Sequence, residues 1–168
     1  AAERKYIEGK TEVAIRAFEE YLLEFPNGVH STQANFTLAQ LYFSKDEKEK
    51  ALPKYIEVAN RGTSEYSEQA LTRVCEIYVA KENYENAIPY LERLEDTAEI
   101  SQNRTFAQSN LMKGYYQRKD YQNTLEYAEK VLNAGNIDNR IKSDAQIMIA
   151  RSAIETGDEQ LAETAFAE

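Results

Sequence analysis

A period of 36 to 38 residues runs through this chain and constrains its fold more tightly than any other feature, because only repeat architectures show self-similarity on that scale. The segments "EKALPKYIEV" (49–58) and "ENAIPYLERL" (85–94) set Pro53 over Pro89 and Ala51 over Ala87. The same register extends back to Ala14 and forward to Thr124 and Ala162, in steps of 37, 36, 37 and 38. Ala34, Ala70, Ala107 and Ala145 step by 36, 37 and 38, and so do Leu38, Val74, Leu111 and Ile149. Tyr42, Tyr78 and Tyr115 form a fourth series, broken at Ala153.

Each period holds two helical patterns. The first reads "QANFTLAQLYFSK", "QALTRVCEIYVAK", "FAQSNLMKGYYQRK" and "DAQIMIARSAIE", with apolar residues three and four apart, as an amphipathic helix requires. A short polar turn follows ("KDEKE", "KENYE", "KDYQN", "TGDEQ"), then a second helix: "KALPKYIEVA", "NAIPYLERL", "TLEYAEKVLNA" and "LAETAF". Gly62 and Gly135 follow two of these second helices, where a C-terminal cap prefers glycine. The pattern predicts an all-α chain of antiparallel helical hairpins. The units fall at about 1–26, 27–62, 63–98, 99–135 and 136–168, the first and last partial, in a single array.

These hairpins resemble the tetratricopeptide repeat family. The resemblance rests on an aliphatic residue next to a small one in the first helix (Leu38–Ala39, Val74–Cys75, Ile149–Ala150), then a tyrosine, a turn, and the alanine opening the second helix. Pro26 in "LEFPNG" stands where the family often ends a repeat. The resemblance covers essentially the whole chain and implies a right-handed superhelix that presents a groove to a protein or peptide. The family's period is about 34 residues. The longer lead before the first helix here is similar to the subgroup of bacterial envelope proteins that includes the outer-membrane assembly lipoprotein and the Tol–Pal coordinator. That likeness implies a periplasmic or envelope-associated setting, with a cytoplasmic one left open. Leu111–Met112 and Ala128 stand where the family prefers smaller or aromatic residues, which implies different packing in the fourth unit.

The two prolines lie about five residues into the second helix, away from the core alanine. A proline inside a helix removes one backbone hydrogen bond and crowds the preceding turn, at up to ~3 kcal/mol, but matters less near a helix start. Arg16, Glu126 and Thr164 occupy the same position elsewhere, so both prolines are expected to face solvent. At the ends, "AAERKYIEG" precedes a complete "TEVAIRAFEEYLLEF", and the chain stops at "AFAE". Neither end reads as a capping unit. The expectation is a piece of a longer solenoid, or ends that meet a partner or a second copy.

Composition narrows the function. With 29 acids against 20 bases the net charge is −9, which argues against nucleic acid and anionic membrane surfaces. No apolar run approaches the ~18 residues of a membrane span, and no signal peptide or lipidation motif is visible. The start at AAERKY without methionine leaves room for a removed upstream segment. The single cysteine, Cys75, excludes an internal disulfide framework and reads as a buried small side chain. His30, the one histidine, suits a surface or capping role; without a second there is no metal-ligand set, Cys/His dyad or Ser/His/Asp triad. No glycine-rich phosphate loop exists. Neither catalysis, a cofactor nor a metal is expected. The sequons at Asn35 and Asn103 fall in or near helices and are not read as glycosylated.

A partner surface is expected instead. Beside the core stripe, each first helix carries a second trio on one face: Phe36–Gln40–Phe43, Thr72–Glu76–Val79, Ser109–Lys113–Tyr116 and Ile147–Arg151–Ile154. The residues named for partner binding are Phe36, Gln40, Phe43, Glu76, Val79, Lys113, Tyr116 and Arg151. Aromatic side chains there offer large contact area at low entropy cost, or else pack between neighbouring helices as core. Lys113 and Arg151 favour an acidic segment or terminal carboxylate on the partner, unless Glu76 pairs with Lys113 on the adjacent helix. Two other roles remain open: self-association through the ends, and a regulatory segment of a larger protein.

Overall fold

The computed structural model describes residues 2–167 and the side chains of residues 8–164. Among the described residues the chain is helical throughout and without strands. In order these are α1 (Ala2–Glu24), α2 (Ser31–Ser44), α3 (Lys48–Asn60), α4 (Ser67–Ala80), α5 (Tyr84–Thr97), α6 (Ser101–Gln117), α7 (Tyr121–Asn133), α8 (Asn139–Thr156) and α9 (Glu159–Ala167). The chain divides into two compact units, Ala1–Ile77 and Tyr78–Glu168, with the division inside α4.

In the first unit α1 packs on α2 and α2 on α3. The core takes Leu38, Ala39, Ala51, Val58, Val74 and Cys75, each fully buried. "AERKYIEG" (2–9) does not form a separate helix: it runs without a turn into the rest of α1, which stops two residues before Pro26. In the second unit α5 packs on α6, α6 on α7, α7 on α8 and α8 on α9. Leu91, Leu94, Leu111, Met112, Thr124 and Val131 are fully buried there. Of the register alanines, Ala34, Ala51, Ala70, Ala87, Ala107 and Ala145 are buried where helices approach closely, and Ala14 and Ala162 are half-buried. Each large aliphatic side chain so buried contributes about 1.5–3 kcal/mol.

The turn inside each hairpin is built the same way four times. Asp46, Glu82, Lys119 and Gly157 hold the left-handed conformation, with φ of 60°, 52°, 60° and 75°. The next residue's N–H then closes onto the register tyrosine or its replacement: Glu47 to Tyr42 O (2.9 Å), Asn83 to Tyr78 O (3.0 Å), Asp120 to Tyr115 O (2.9 Å) and Asp158 to Ala153 O (2.9 Å). This is the helix-ending pattern that satisfies orphan carbonyls. Three of those next residues also cap the second helix: Asn83 accepts from Asn86 N, Asp120 from Asn123 N and Asp158 from Leu161 N. Such a cap contributes about 1 kcal/mol. Gly62 is left-handed at φ 94°, as expected of a capping glycine; Gly135 is not, because α7 ends through Ala134 in an extended conformation.

Pro53 and Pro89 both lie inside their helices with exposed rings. His30 occupies the N-cap position of α2 without a side-chain hydrogen bond, and Ser31 Oγ donates instead to Gly28 O.

Candidate functional site

Phe36, expected on the partner stripe, is a core residue. It is 6% exposed, its ring lying 4.8 Å from that of Tyr66 and 6.1 Å from that of Tyr55. The correction comes from the long lead: Tyr66, in the segment before α4, closes over a ring that helical spacing alone left open. Gln40, on the same face, is exposed. Phe43 is half-buried, edge-on to Tyr55 at 6.3 Å, and the Arg73 guanidinium lies 4.7 Å from its ring centre. Arg73 also binds Glu76 at 2.7 Å. The first unit therefore covers its aromatic surface with an arginine that the stripe pattern missed. Its position, one residue past Thr72 and three before Glu76, was the available signal.

In the second unit Val79, Lys113 and Tyr116 are half-buried and Arg151 is exposed. Lys113 is taken up by Asp144 of α8 at 2.9 Å. Tyr116 packs edge-on to Tyr121 at 5.8 Å. Among the described residues the Arg151 side chain has no ion-pair or hydrogen-bond partner, and the isoleucines on either side of it stay open, Ile147 at 44% and Ile154 at 59% exposed. Of the two charges weighed for partner recognition, Lys113 is thus spent inside the fold and Arg151 is not.

An open cavity of about 1170 Å³ lies next to this stripe, between α6, the C-terminal half of α7, the 134–138 connection and the start of α8. Its walls carry Arg104, Lys130, Glu129, Asp138 and Arg140. Two lining side chains are polar yet almost fully buried, Ser109 at 5% and Asn110 at 8% exposed. Asn110 Nδ2 donates to Phe106 O at 2.9 Å. Lys130 is held by Glu95 (3.3 Å) and Glu126 (3.2 Å), and Glu95 also accepts from Tyr127 Oη at 2.8 Å.

Tyrosine–carboxylate ties recur at a fixed separation. Tyr42 Oη donates to Glu19 and Tyr115 Oη to Glu92. Burial first, and the carboxylate second, push both hydroxyls up to about 12. Burial also pushes the Cys75 thiol up to about 12, so it is no nucleophile at neutral pH. Among the described residues no group of three His, Cys, Asp or Glu is placed to hold a metal ion. Nor is any described helix long and apolar enough to cross a membrane.

The architecture is that of tetratricopeptide-like repeats. The chain is similar to BtubC (BKLC) from P. vanneervenii, with a TM-score of 0.60 and 20% identity over 98% of this chain and 73% of that one. It is also similar to the nearly identical TPR-like repeats of the kinesin-light-chain type from Podosopora anserina, with a TM-score of 0.56 and 17% identity over 99% and 88%. At these identities the likeness is one of fold. No protein-family model and no curated relative matches the sequence.

Proposed function

We propose that this chain is a non-catalytic scaffold that holds a peptide or a segment of a partner protein against the inner faces of its first-in-hairpin helices. The observation that carries this reading is in the second unit. There a cavity of about 1170 Å³, with Ser109, Asn110, Arg104 and Lys130 in its lining, adjoins α8, whose Ile147, Arg151 and Ile154 are exposed. An extended chain matches both parts of such a surface: backbone N–H and C=O for the polar lining, and side chains for the isoleucines. An envelope setting, in the assembly or coordination of membrane-associated complexes, is part of the proposal and rests on the resemblance of the long lead before each first helix to that of bacterial envelope repeats.

The test is selection from an unbiased displayed peptide library, followed by titration of the winners into labelled protein. Saturable binding with amide shifts concentrated on α6 and α8 supports the reading. Shifts confined to α1 and α9, or no saturable peptide at all, contradict it.

A second reading, self-association, has its own observation. Ala14, Phe18 and Tyr21 of α1 stand in register with Ala51, Tyr55 and Val58 of α3 and with Ala87, Leu91 and Leu94 of α5. Those six are at most 1% exposed, whereas the α1 trio is only half-buried, and Val13 and Leu23 are 66% and 84% exposed. If copies cover that face, sedimentation shows mass rising with concentration, and Phe18→Ser abolishes the rise.

A further inference from the structure

One dipeptide in this chain is chemically unlike the rest. Of the 11 asparagines, Asn27 alone is followed by glycine. It is exposed, in the connection between α1 and α2. Phe25, Pro26, Asn27 and Gly28 form a β-turn closed by Gly28 N–H donating to Phe25 O at 3.2 Å, with proline second and glycine last as such turns favour. Both members of the pair have local reasons to be there. A Cβ on Gly28 would stand 3.0 Å from Tyr21 Oη and 3.1 Å from Phe25 Cβ. The Asn27 side chain is held by Arg61, which follows α3: its Nη2 donates to Asn27 Oδ1 at 3.3 Å and to Pro26 O at 2.6 Å. Arg61 Nη1 donates to Ser31 Oγ, and Arg61 Nε to Glu57 at 2.8 Å.

A glycine carries no Cβ to shield its peptide nitrogen, which therefore reaches the side-chain carbonyl of the residue before it. Once the Gly28 nitrogen gives its proton to water or hydroxide, it bonds to Asn27 Cγ and the negative charge passes to Oδ1. The Cγ–Nδ2 bond then breaks, and the nitrogen leaves as ammonia with a proton from solvent. Water opens the resulting cyclic imide: breaking the Cγ–N bond gives aspartate, and breaking the main-chain bond gives isoaspartate. The Arg61 guanidinium stands where the charge on Oδ1 develops and favours that step. The turn opposes it, because the Gly28 N–H is engaged and Gly28 O accepts from Ser31 N at 2.9 Å and Ser31 Oγ at 2.7 Å. The reaction therefore runs from the opened turn. In the aspartyl product a carboxylate replaces the amide facing Arg61, so a neutral acceptor becomes a charged one and the tie strengthens.

We propose that Asn27 is a self-modifying site: it passes through a cyclic imide to aspartate and isoaspartate, with water the only co-reactant, and Arg61 captures the aspartyl form. The modification is independent of what the groove binds. The whole folded chain is incubated in mildly alkaline buffer and followed by peptide mapping that separates aspartyl from isoaspartyl products. Asn27 is expected to convert several-fold faster than Asn136, which also lies in a connection but precedes isoleucine. It should convert several-fold more slowly than in the urea-unfolded chain, where no turn has to open. Asn27→Asp reproduces the aspartyl product and should raise Tm by about 1–3 °C. That gain disappears in an Arg61→Gln background and survives in part with Arg61→Lys, which keeps the charge without the fork. Circular dichroism checks that each variant keeps its helices. Conversion at Asn27 no faster than at Asn136 overturns the site. A Tm that fails to rise in Asn27→Asp, or a rise of equal size without Arg61, overturns the capture.

Discussion

Lys119→Gly is expected to stabilise the second unit, although it removes a whole side chain and adds no contact. Lys119 holds φ 60° in the turn between α6 and α7, the register position that Asp46 and Glu82 also fill and that Gly157 fills with glycine. An L-residue in the left-handed region carries strain of about 1–2 kcal/mol, because Cβ crowds the following carbonyl. Glycine removes that strain but returns roughly 0.5–1 kcal/mol through its greater freedom in the unfolded chain. The net gain is about 0.5–1 kcal/mol. For a chain of this size that raises Tm by about 1–4 °C. Lys119 suits the experiment because its side chain is exposed and makes no ion pair, whereas Asp46 is tied to Lys48 at 3.4 Å. Thermal unfolding followed by helical circular dichroism gives the readout. Lys119→Ala serves as one control, with no gain expected, and Gly157→Ala as another, with a loss of about 1 kcal/mol. An unchanged or lowered Tm in Lys119→Gly, or an equal gain in Lys119→Ala, refutes the claim that backbone strain sets the effect.

Three further outcomes follow from packing and ionisation. Gly114→Ala places a Cβ 3.0 Å from Tyr84 Cδ1 and 3.2 Å from Ile88 Cδ1, so it should destabilise by about 1–3 kcal/mol in urea unfolding. Tyr42 and Tyr115 have hydroxyls pushed up to about 12, above the ~10 of an unfolded chain. The folded state holds those protons more tightly, so the linked stability is complete below pH ~10 and is lost as pH rises toward 12. Unfolding at stepped alkaline pH checks this, with Tyr42→Phe expected to flatten the slope. Cys75, fully buried with its thiol pushed up to about 12, should react with a thiol reagent only as fast as the first unit opens. Fast stoichiometric labelling of the native protein contradicts that burial.

The repeat register made much of the fold legible. Ala51, Ala87 and Thr124 recur because each sits where helices approach closely, and all three are fully buried. The exposure of Pro53 and Pro89 followed from Arg16 and Glu126 at equivalent places, since a position that takes charges faces water. The turns were located but their conformation was not. Asp46, Glu82 and Lys119 carry no glycine signal, and only the closed hydrogen-bond pattern makes φ positive there. Gly135 misled for the converse reason: a glycine after a helix permits a left-handed cap without requiring one.

The candidate site was half legible. Helical spacing placed Gln40, Phe43, Lys113 and Arg151 each on a second stripe of its own first helix, but spacing within one helix says nothing of what a connecting segment lays over it. Tyr66 covers Phe36 and Arg73 covers Phe43, both from residues outside the trios. Likewise, periodicity cannot tell an internally paired cation from an open one; Asp144 decides that for Lys113. The cavity beside α6 depends on the course of the 134–138 connection, which has no period to follow.

The central claim is that the inner faces of the first-in-hairpin helices meet the partner, and site-specific photo-crosslinking tests it most directly. A photoreactive side chain is placed in turn at Gln40, Ile147 and Ile154 on first-in-hairpin helices, and at Pro53 and Pro89 on exposed faces of second helices. The chain is then irradiated with a library-selected peptide bound. The account predicts adducts to the peptide from Ile147 and Ile154, with little or none from Pro53 and Pro89. Adducts from the second-helix positions, with none from α8, would contradict it.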